Sequence, residues 1–203
     1  MNQRRKWTVP AGRSLSGRRK PFERERKMPL TSVMKLQLHN QIERVLHVKG
    51  NYQGGILEMA AVIDCSYEKE ELKQLCADII VLCKKQSEIF RNIRLNMVLW
   101  GSDGIASETV ASAYVQTGTY FDGYEEQKDV SCMQAEEIME YLKKFHARSK
   151  LILLLTPDSA RLAKITDPDR MGQAMNPFLK HKLIIVYPEK IEAGAGLYRS
   201  ILS

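Results

Sequence analysis

Short, nearly uninterrupted apolar runs constrain the fold of this chain more than any other feature. They are ILEMAAVI from Ile56 to Ile63, LILLL from Leu151 to Leu155, and LIIVY from Leu183 to Tyr187. A run this short that lacks polar alternation is typical of a strand buried on both faces, as in a parallel sheet. The runs therefore predict a central sheet covered by helices on both sides.

The segments around these runs extend the α/β pattern. Apolar residues recur every three or four positions in three segments, which predicts helices over Ser32 to about Val48, Leu72 to Phe90, and about Met133 to Ala147. Two more strands are predicted, at Ile93–Trp100 and Val110–Thr117, and their short connection indicates an antiparallel pair. We expect a short helix near Ser159, an irregular loop around Pro168 and Pro177, and a closing helix over Leu197–Leu202.

The length and composition of the chain are those of a protein with one hydrophobic core. With 203 residues, of which 44% are hydrophobic, the chain can bury one sizeable core but is short for two full domains. The expected fold is an open, mostly parallel, doubly wound sheet with one antiparallel edge strand and helices on both faces, formed by residues 29–203 as a single domain.

The positive charge is concentrated at the N-terminus. Residues 1–27 contain ten basic and two acidic side chains, whereas the whole chain has a net charge of +7, so the rest is close to neutral. Residues 1–28 lack apolar periodicity and are predicted to be a disordered basic arm. The arm could bind nucleic acid without sequence preference, dock on an acidic partner, or act as a solubilising leader. Its binding candidates are Arg4, Arg5, Lys6, Arg18, Arg19 and Lys20.

Several functional classes lack their sequence signals. No apolar run approaches the roughly 20 residues of a membrane span, so we expect a cytoplasmic protein without a membrane partner. The chain has no Gly-rich phosphate loop, no GxSxG and no HExxH motif. We therefore expect binding rather than catalysis. A Mg²⁺-dependent phosphoryl-transfer enzyme with Asp64 as nucleophile is a remote alternative, because Ser66 stands where such enzymes usually carry a second aspartate.

Oxygen-bearing side chains cluster after the predicted strands. Asp64, Ser66 and Glu68 follow the first strand, Ser131 precedes a helix, and Asp158 follows LILLL. Ligands of open α/β sheets bind at this edge, and Mg²⁺ or Mn²⁺ prefers such ligands. The alternative is structural, because Asp64 or Ser66 could cap the next helix and Asp158 or Ser159 the one after.

This layout resembles the von Willebrand factor type A domain family over about residues 52–190. In that family the first strand ends in Asp-x-Ser-x-Ser, a later loop supplies a Thr, and an Asp follows the fourth strand. Asp64 and Ser66 match the first two positions and Asp158 the last, whereas Glu68 replaces the second Ser and Ser131 stands for the Thr. The resemblance implies a degenerate metal ion-dependent adhesion site that binds another protein within a larger assembly.

Overall fold

The protein is an α/β structure built on a six-stranded mixed sheet. A computed structural model describes residues 30–47, 55–86, 88–102, 104–127, 134–163, 165–178 and 182–196. The helices are α1 (Ser32–Leu46), α2 (Lys69–Lys84), α3 (Ser112–Gln116), α4 (Ala135–His146), α5 (Ala160–Ala163) and α6 (Pro168–Met175). The strands are β1 (Ile56–Asp64), β2 (Asn92–Gly101), β3 (Gly104–Ala111), β4 (Leu151–Leu155), β5 (Leu183–Val186) and β6 (Ile191–Ala193).

The strand order is β3-β2-β1-β4-β5-β6. The four central strands are parallel: β1 pairs with β2 and with β4, and β4 pairs with β5. Both edge strands are antiparallel to their neighbours, β3 to β2 and β6 to β5. The short turn between β2 and β3 explains the first of these pairs, because a parallel crossover would need a much longer connection.

Each face of the sheet carries its own apolar core. Leu57, Met59 and Ile63 of β1 pack with buried residues of α1 and α2 on one face, which we call the α2 face. The intervening Ala60 and Val62 pack with residues of α4 and α6 on the other, the α4 face. Side chains of a strand alternate between faces, so a central strand covered on both sides must be apolar throughout. This arrangement explains why β1, β4 and β5 read as apolar runs.

The structure differs from the sequence-based prediction around β3. The strand predicted at Val110–Thr117 is wrong: β3 ends at Ala111, and Ser112–Gln116 form α3. Most of β3 is exposed, so it lacks the apolar run that marked the buried strands. β6, a second antiparallel edge strand of three residues, was not expected.

The irregular loop predicted around Pro168 is also wrong, because Pro168 begins α6. The side chain of Asp167 accepts a hydrogen bond from the Arg170 N–H and caps the helix. Proline is well tolerated in the first turn, where its missing N–H would have no helical partner.

Other predictions fall on residues outside the described ranges. These are the basic arm at residues 1–28, Ser131, and the closing helix at Leu197–Leu202. The division into an arm and one domain therefore stays a prediction. Within the described part of the chain, no helix is long and apolar enough to cross a membrane.

Candidate functional site

The candidate site lies where β1 and β4 end side by side. The chain leaves β1 through α2 on one face, whereas the connection into β4 passes through α4 on the other. In open α/β sheets the crevice at such a reversal of strand order is the usual ligand site. Asp64 is the last residue of β1 and Thr156 directly follows β4, and both side chains are fully buried.

Asp64 is the centre of a compact group of oxygen atoms. Its Oδ1 accepts hydrogen bonds from the Ser66 N–H at 3.0 Å and from the Ser66 hydroxyl at 2.7 Å. Its Oδ2 accepts one from the Thr156 hydroxyl at 2.8 Å. The Asp64–Thr156 bond joins two chain segments 92 residues apart across the β1–β4 boundary. The site thus combines a carboxylate with two hydroxyl groups.

The predicted metal ligands divide into two sets. Asp64 and Ser66 come together as the Asp-x-Ser spacing indicated, and they are joined by Thr156 rather than by Asp158. Asp158 is exposed, and its Oδ1 accepts a hydrogen bond from the N–H of Ala160, where α5 begins, as a helix cap does. Glu68 is exposed at the N-cap of α2 and makes no side-chain capping bond there.

Thr156 is the site residue that sequence reasoning missed. It follows LILLL directly, but the sequence-based prediction places the metal ligand two residues later, at Asp158. The decisive signal is register: Ile63 pairs with Leu155, which places Asp64 and Thr156 on neighbouring strands at one level. Register between distant strands is set by the folded sheet and cannot be read from local spacing.

The loop after β1 is held by a segment that crosses the edge of the sheet. The Cys65 N–H bonds the Trp100 carbonyl, and the Gln127 N–H bonds the Cys65 carbonyl at 2.8 Å. The Tyr124 hydroxyl lies 2.9 Å from the carbonyl oxygens of both Cys65 and Tyr67. These contacts fix the backbone that presents Asp64 and Ser66.

The groups beside Asp64 stay neutral. Burial, followed by the negative charge of Asp64, raises the pKa of the Cys65 thiol to about 11. The same two causes, in the same order, raise the pKa of Tyr67 well above its ordinary value. A protonated thiol is a poor nucleophile, so Cys65 is not equipped for covalent catalysis at neutral pH.

A cleft of about 400 Å³ opens next to this loop. Its lining includes Cys65, Gly101, Tyr124 and Gln127. A Cβ at Gly101 would lie 2.5 Å from Gln127 Oε1, so a larger residue there would displace this side chain, which accepts a hydrogen bond from the Ser102 N–H at 2.6 Å. The cleft gives a ligand a partly polar route to the β1 loop.

The oxygen atoms at this edge are of the type that Mg²⁺ and Mn²⁺ bind. Within the described ranges, no group of three or more His, Cys, Asp or Glu residues is placed to hold a metal. Mg²⁺, however, keeps several waters and is commonly bound by only one or two carboxylates. Asp64, Ser66 and Thr156 match that pattern, with one carboxylate and two hydroxyl oxygens.

Comparisons with known proteins identify no relative. No family model matches the chain, and no curated protein and no solved structure matches it either.

Proposed function

We propose that this chain is a protein–protein binding module of the von Willebrand factor type A kind, with its ligand crevice at the ends of β1 and β4. The observation that carries the proposal is the Asp64–Ser66–Thr156 cluster. A fully buried carboxylate is costly unless its environment compensates it. Here two hydroxyl groups from separate loops converge on it at 2.7 and 2.8 Å.

The strand order supports this proposal. The order β3-β2-β1-β4-β5 is that of doubly wound sheets, which bind ligands where the order reverses. The antiparallel strand β3 at one edge agrees with the antiparallel pair that the short connection in the sequence predicts. The Asp-x-Ser pair stands at the end of the first strand, as in the family.

The residues of the cluster define how the site would act. Asp64, Ser66 and Thr156 would hold Mg²⁺ or Mn²⁺, which supplies positive charge for an acidic side chain of the partner. Their hydrogen bonds keep the three oxygen groups together before binding. Burial of Asp64 and Thr156 leaves the half-buried Ser66 as the side from which a ligand approaches.

The same geometry favours binding over phosphoryl transfer. A nucleophilic aspartate needs a nearby acid–base group. Ser66 stands at the position where that residue would be expected, and its hydroxyl donates a hydrogen bond to Asp64 Oδ1. We therefore propose a non-enzymatic role in an assembly.

The test is the melting temperature of the full chain with and without Mg²⁺ or Mn²⁺. An ion that binds only the folded state stabilises it by RT ln(1 + [L]/Kd), about 1.4 kcal/mol at ten times Kd. The increase should vanish in Asp64→Asn and persist in the matched control Asp158→Asn, whose carboxylate caps α5. An unchanged melting temperature in the unmodified protein, or an increase that survives Asp64→Asn, would refute the metal site.

A second measurement tests the open coordination position. Acetate, a minimal mimic of an acidic side chain, should raise the melting temperature further only when the divalent ion is present. An equal effect of acetate without the ion would show that it binds elsewhere.

A further inference from the structure

The opposite edge of the sheet, where the parallel strands begin, is basic on its α4 face. Lys150 precedes β4, Lys182 precedes β5, and α4 ends there with further basic residues. We call this surface the amino-edge patch, and it consists of Arg94, Lys143, Lys144, Arg148, Lys150 and Lys182.

Backbone contacts between neighbouring strands place Arg94 and Lys150 on the two sides of Glu58. Arg94 on β2 pairs in register with Glu58 on β1, and the Lys150 N–H bonds the Glu58 carbonyl at 2.7 Å. Leu57 and Met59 pack on the α2 face, so Glu58 between them points to the α4 face. Its carboxylate lies 2.6 Å from Arg94 Nη1, so Glu58 and Arg94 neutralise each other and the net positive charge of the patch comes from its lysines and Arg148.

Lys182 joins the patch through an unusual backbone conformation. Its φ of 87° lies in the left-handed region, which non-glycine residues rarely adopt. A regular strand would send Lys182 to the α2 face, opposite Leu183. Instead its Nζ donates a hydrogen bond to the His146 carbonyl at 2.9 Å, at the end of α4.

Lys150 and Lys182 directly precede two neighbouring parallel strands, and the Ile152 N–H bonds the Lys182 carbonyl at 2.7 Å. Burial, and then the charge of Lys150, lower the pKa of Lys182. A bound anion would compensate like charges brought to neighbouring strand ends. Of the remaining members, Lys143, Lys144, Arg148 and Arg94 are exposed.

The dimensions of the patch fit a regular row of phosphates. Arg94 lies on β2, and Lys150 and Lys182 directly precede β4 and β5, so the three residues span three strand spacings of about 4.8 Å each, or about 14 Å. That length corresponds to about four phosphate steps of about 3.4 Å, measured along the axis of a duplex. Tyr141 and Phe145, half-buried on α4, border the patch, and Lys144 Nζ lies 4.1 Å from the centre of the Tyr141 ring.

A membrane surface is a poorer fit. Binding in the membrane interface requires apolar side chains that insert among the lipids. The large exposed apolar side chains of the described residues are Val33, Leu36, Val81 and Tyr114, and they lie on α1, α2 and α3. Those helices pack on the α2 face, away from the patch.

We propose that the amino-edge patch binds the sugar–phosphate backbone of a nucleic acid, on a surface separate from the β1–β4 crevice. Recognition through phosphates alone is independent of sequence and strongly dependent on salt. The basic arm is not required to reach this surface, because every member of the patch belongs to the folded domain.

The experiment measures binding of a fluorescein-labelled DNA duplex of about two helical turns to the full chain by anisotropy, from about 50 to about 200 mM salt. The patch variant is Lys143→Gln/Arg148→Gln/Lys150→Gln, which removes none of the described side-chain hydrogen bonds. Arg148→Glu alone, an exposed position after α4, keeps the test informative if the triple variant does not fold.

Two controls separate the patch from net charge and from the arm. Arg44→Gln/Lys85→Gln/Lys190→Gln removes the same charge from exposed positions outside the patch. An arm variant replaces Arg4, Arg5, Lys6, Arg18, Arg19 and Lys20 with Gln.

The patch variant should bind the DNA at least about tenfold more weakly. The slope of log K against log salt should become less negative by about 2 to 3, because each lost phosphate contact changes the slope by about 0.9. The charge-matched control should stay within about twofold, and the arm variant should retain salt-dependent binding. The proposal would be overturned if the patch variant and the charge-matched control lost equal affinity for DNA. It would also be overturned if the arm variant lost all DNA binding while the patch variant was unaffected. If the patch variant retained DNA binding but lost binding to phosphatidylserine vesicles, the patch would be assigned to membranes instead.

Discussion

Replacing Thr156 with valine tests the hydrogen bond on which the candidate site depends. Valine keeps the shape of threonine but cannot donate to Asp64 Oδ2, which the Thr156 hydroxyl approaches to 2.8 Å. Thr156 Oγ1 also lies 3.3 Å from the Asp158 N–H, so the loop after β4 loses a weaker contact. Both Thr156 and Asp64 are inaccessible to solvent, so water cannot replace the lost donor without a rearrangement.

The expected loss follows from the charge of the acceptor. A hydrogen bond to a charged group contributes about 1.5–3 kcal/mol, so Thr156→Val should lower the free energy of unfolding by about 2–3 kcal/mol. For a protein of this size that loss corresponds to a decrease of roughly 5–10 °C in melting temperature. Thr156→Ser is the matched control, because it keeps the hydroxyl and removes one buried methyl group, worth about 1 kcal/mol.

The assay is urea unfolding followed by circular dichroism and by tryptophan fluorescence, with linear extrapolation to water. Trp100 is fully buried and pairs with Asp64 across the β1–β2 ladder, so its emission reports on this edge of the sheet. If Thr156→Val is as stable as Thr156→Ser, the hydroxyl does not bond the carboxylate and the cluster cannot be the basis of a site.

Two further predictions follow from buried ionisable groups. Burial opposes ionisation of Glu136, but hydrogen bonds from the N–H groups of Asp167 and Thr166 outweigh it and lower the pKa of this carboxylate. The stabilisation that ionised Glu136 provides is therefore fully present above the pKa of about 4.3 in the unfolded chain, and it is lost as the pH falls below that value. The difference in unfolding free energy between the unmodified protein and Glu136→Gln should shrink in acid. A constant difference in urea melts at a series of pH values would contradict this. Burial raises the pKa of Cys76 and of Cys83 to about 12. Both thiols should therefore resist iodoacetamide in the native protein at about pH 8 and react in denaturant. Rapid alkylation of the native protein, measured by peptide mass mapping, would contradict their burial.

The strands buried on both faces could be predicted from the sequence, and the two edge strands could not be placed correctly. β1, β4 and β5 are apolar on both faces because helices cover both, and the pattern of the sequence records this directly. β3 lies at an edge with most of its residues in solvent, so its composition carries little information about its conformation. The apolar residues just after it were mistaken for the strand, although Val115 is buried from α3.

The candidate site was predictable only where its parts are close in sequence. Asp64 and Ser66 are two residues apart, and their hydrogen bonds depend on one local turn. Thr156 reaches the same carboxylate through the pairing of β1 with β4, which depends on the whole sheet. Asp158 looked equivalent in sequence, but its carboxylate is used by the first turn of α5.

The position of α1 determines when the core on the α2 face can be completed during synthesis. This helix leaves the ribosome before any strand, yet its buried residues Leu38, Ile42 and Leu46 belong to the core that includes Ile184 and Val186 of β5. α1 also contacts β4 and β6, which are made late. Contacts between residues so distant along the chain close slowly, because the loop entropy is lost before the contacts form. The part of the apolar side of α1 that packs against these strands therefore stays exposed until they are made, and a nascent chain halted before β5 should be a substrate for chaperones.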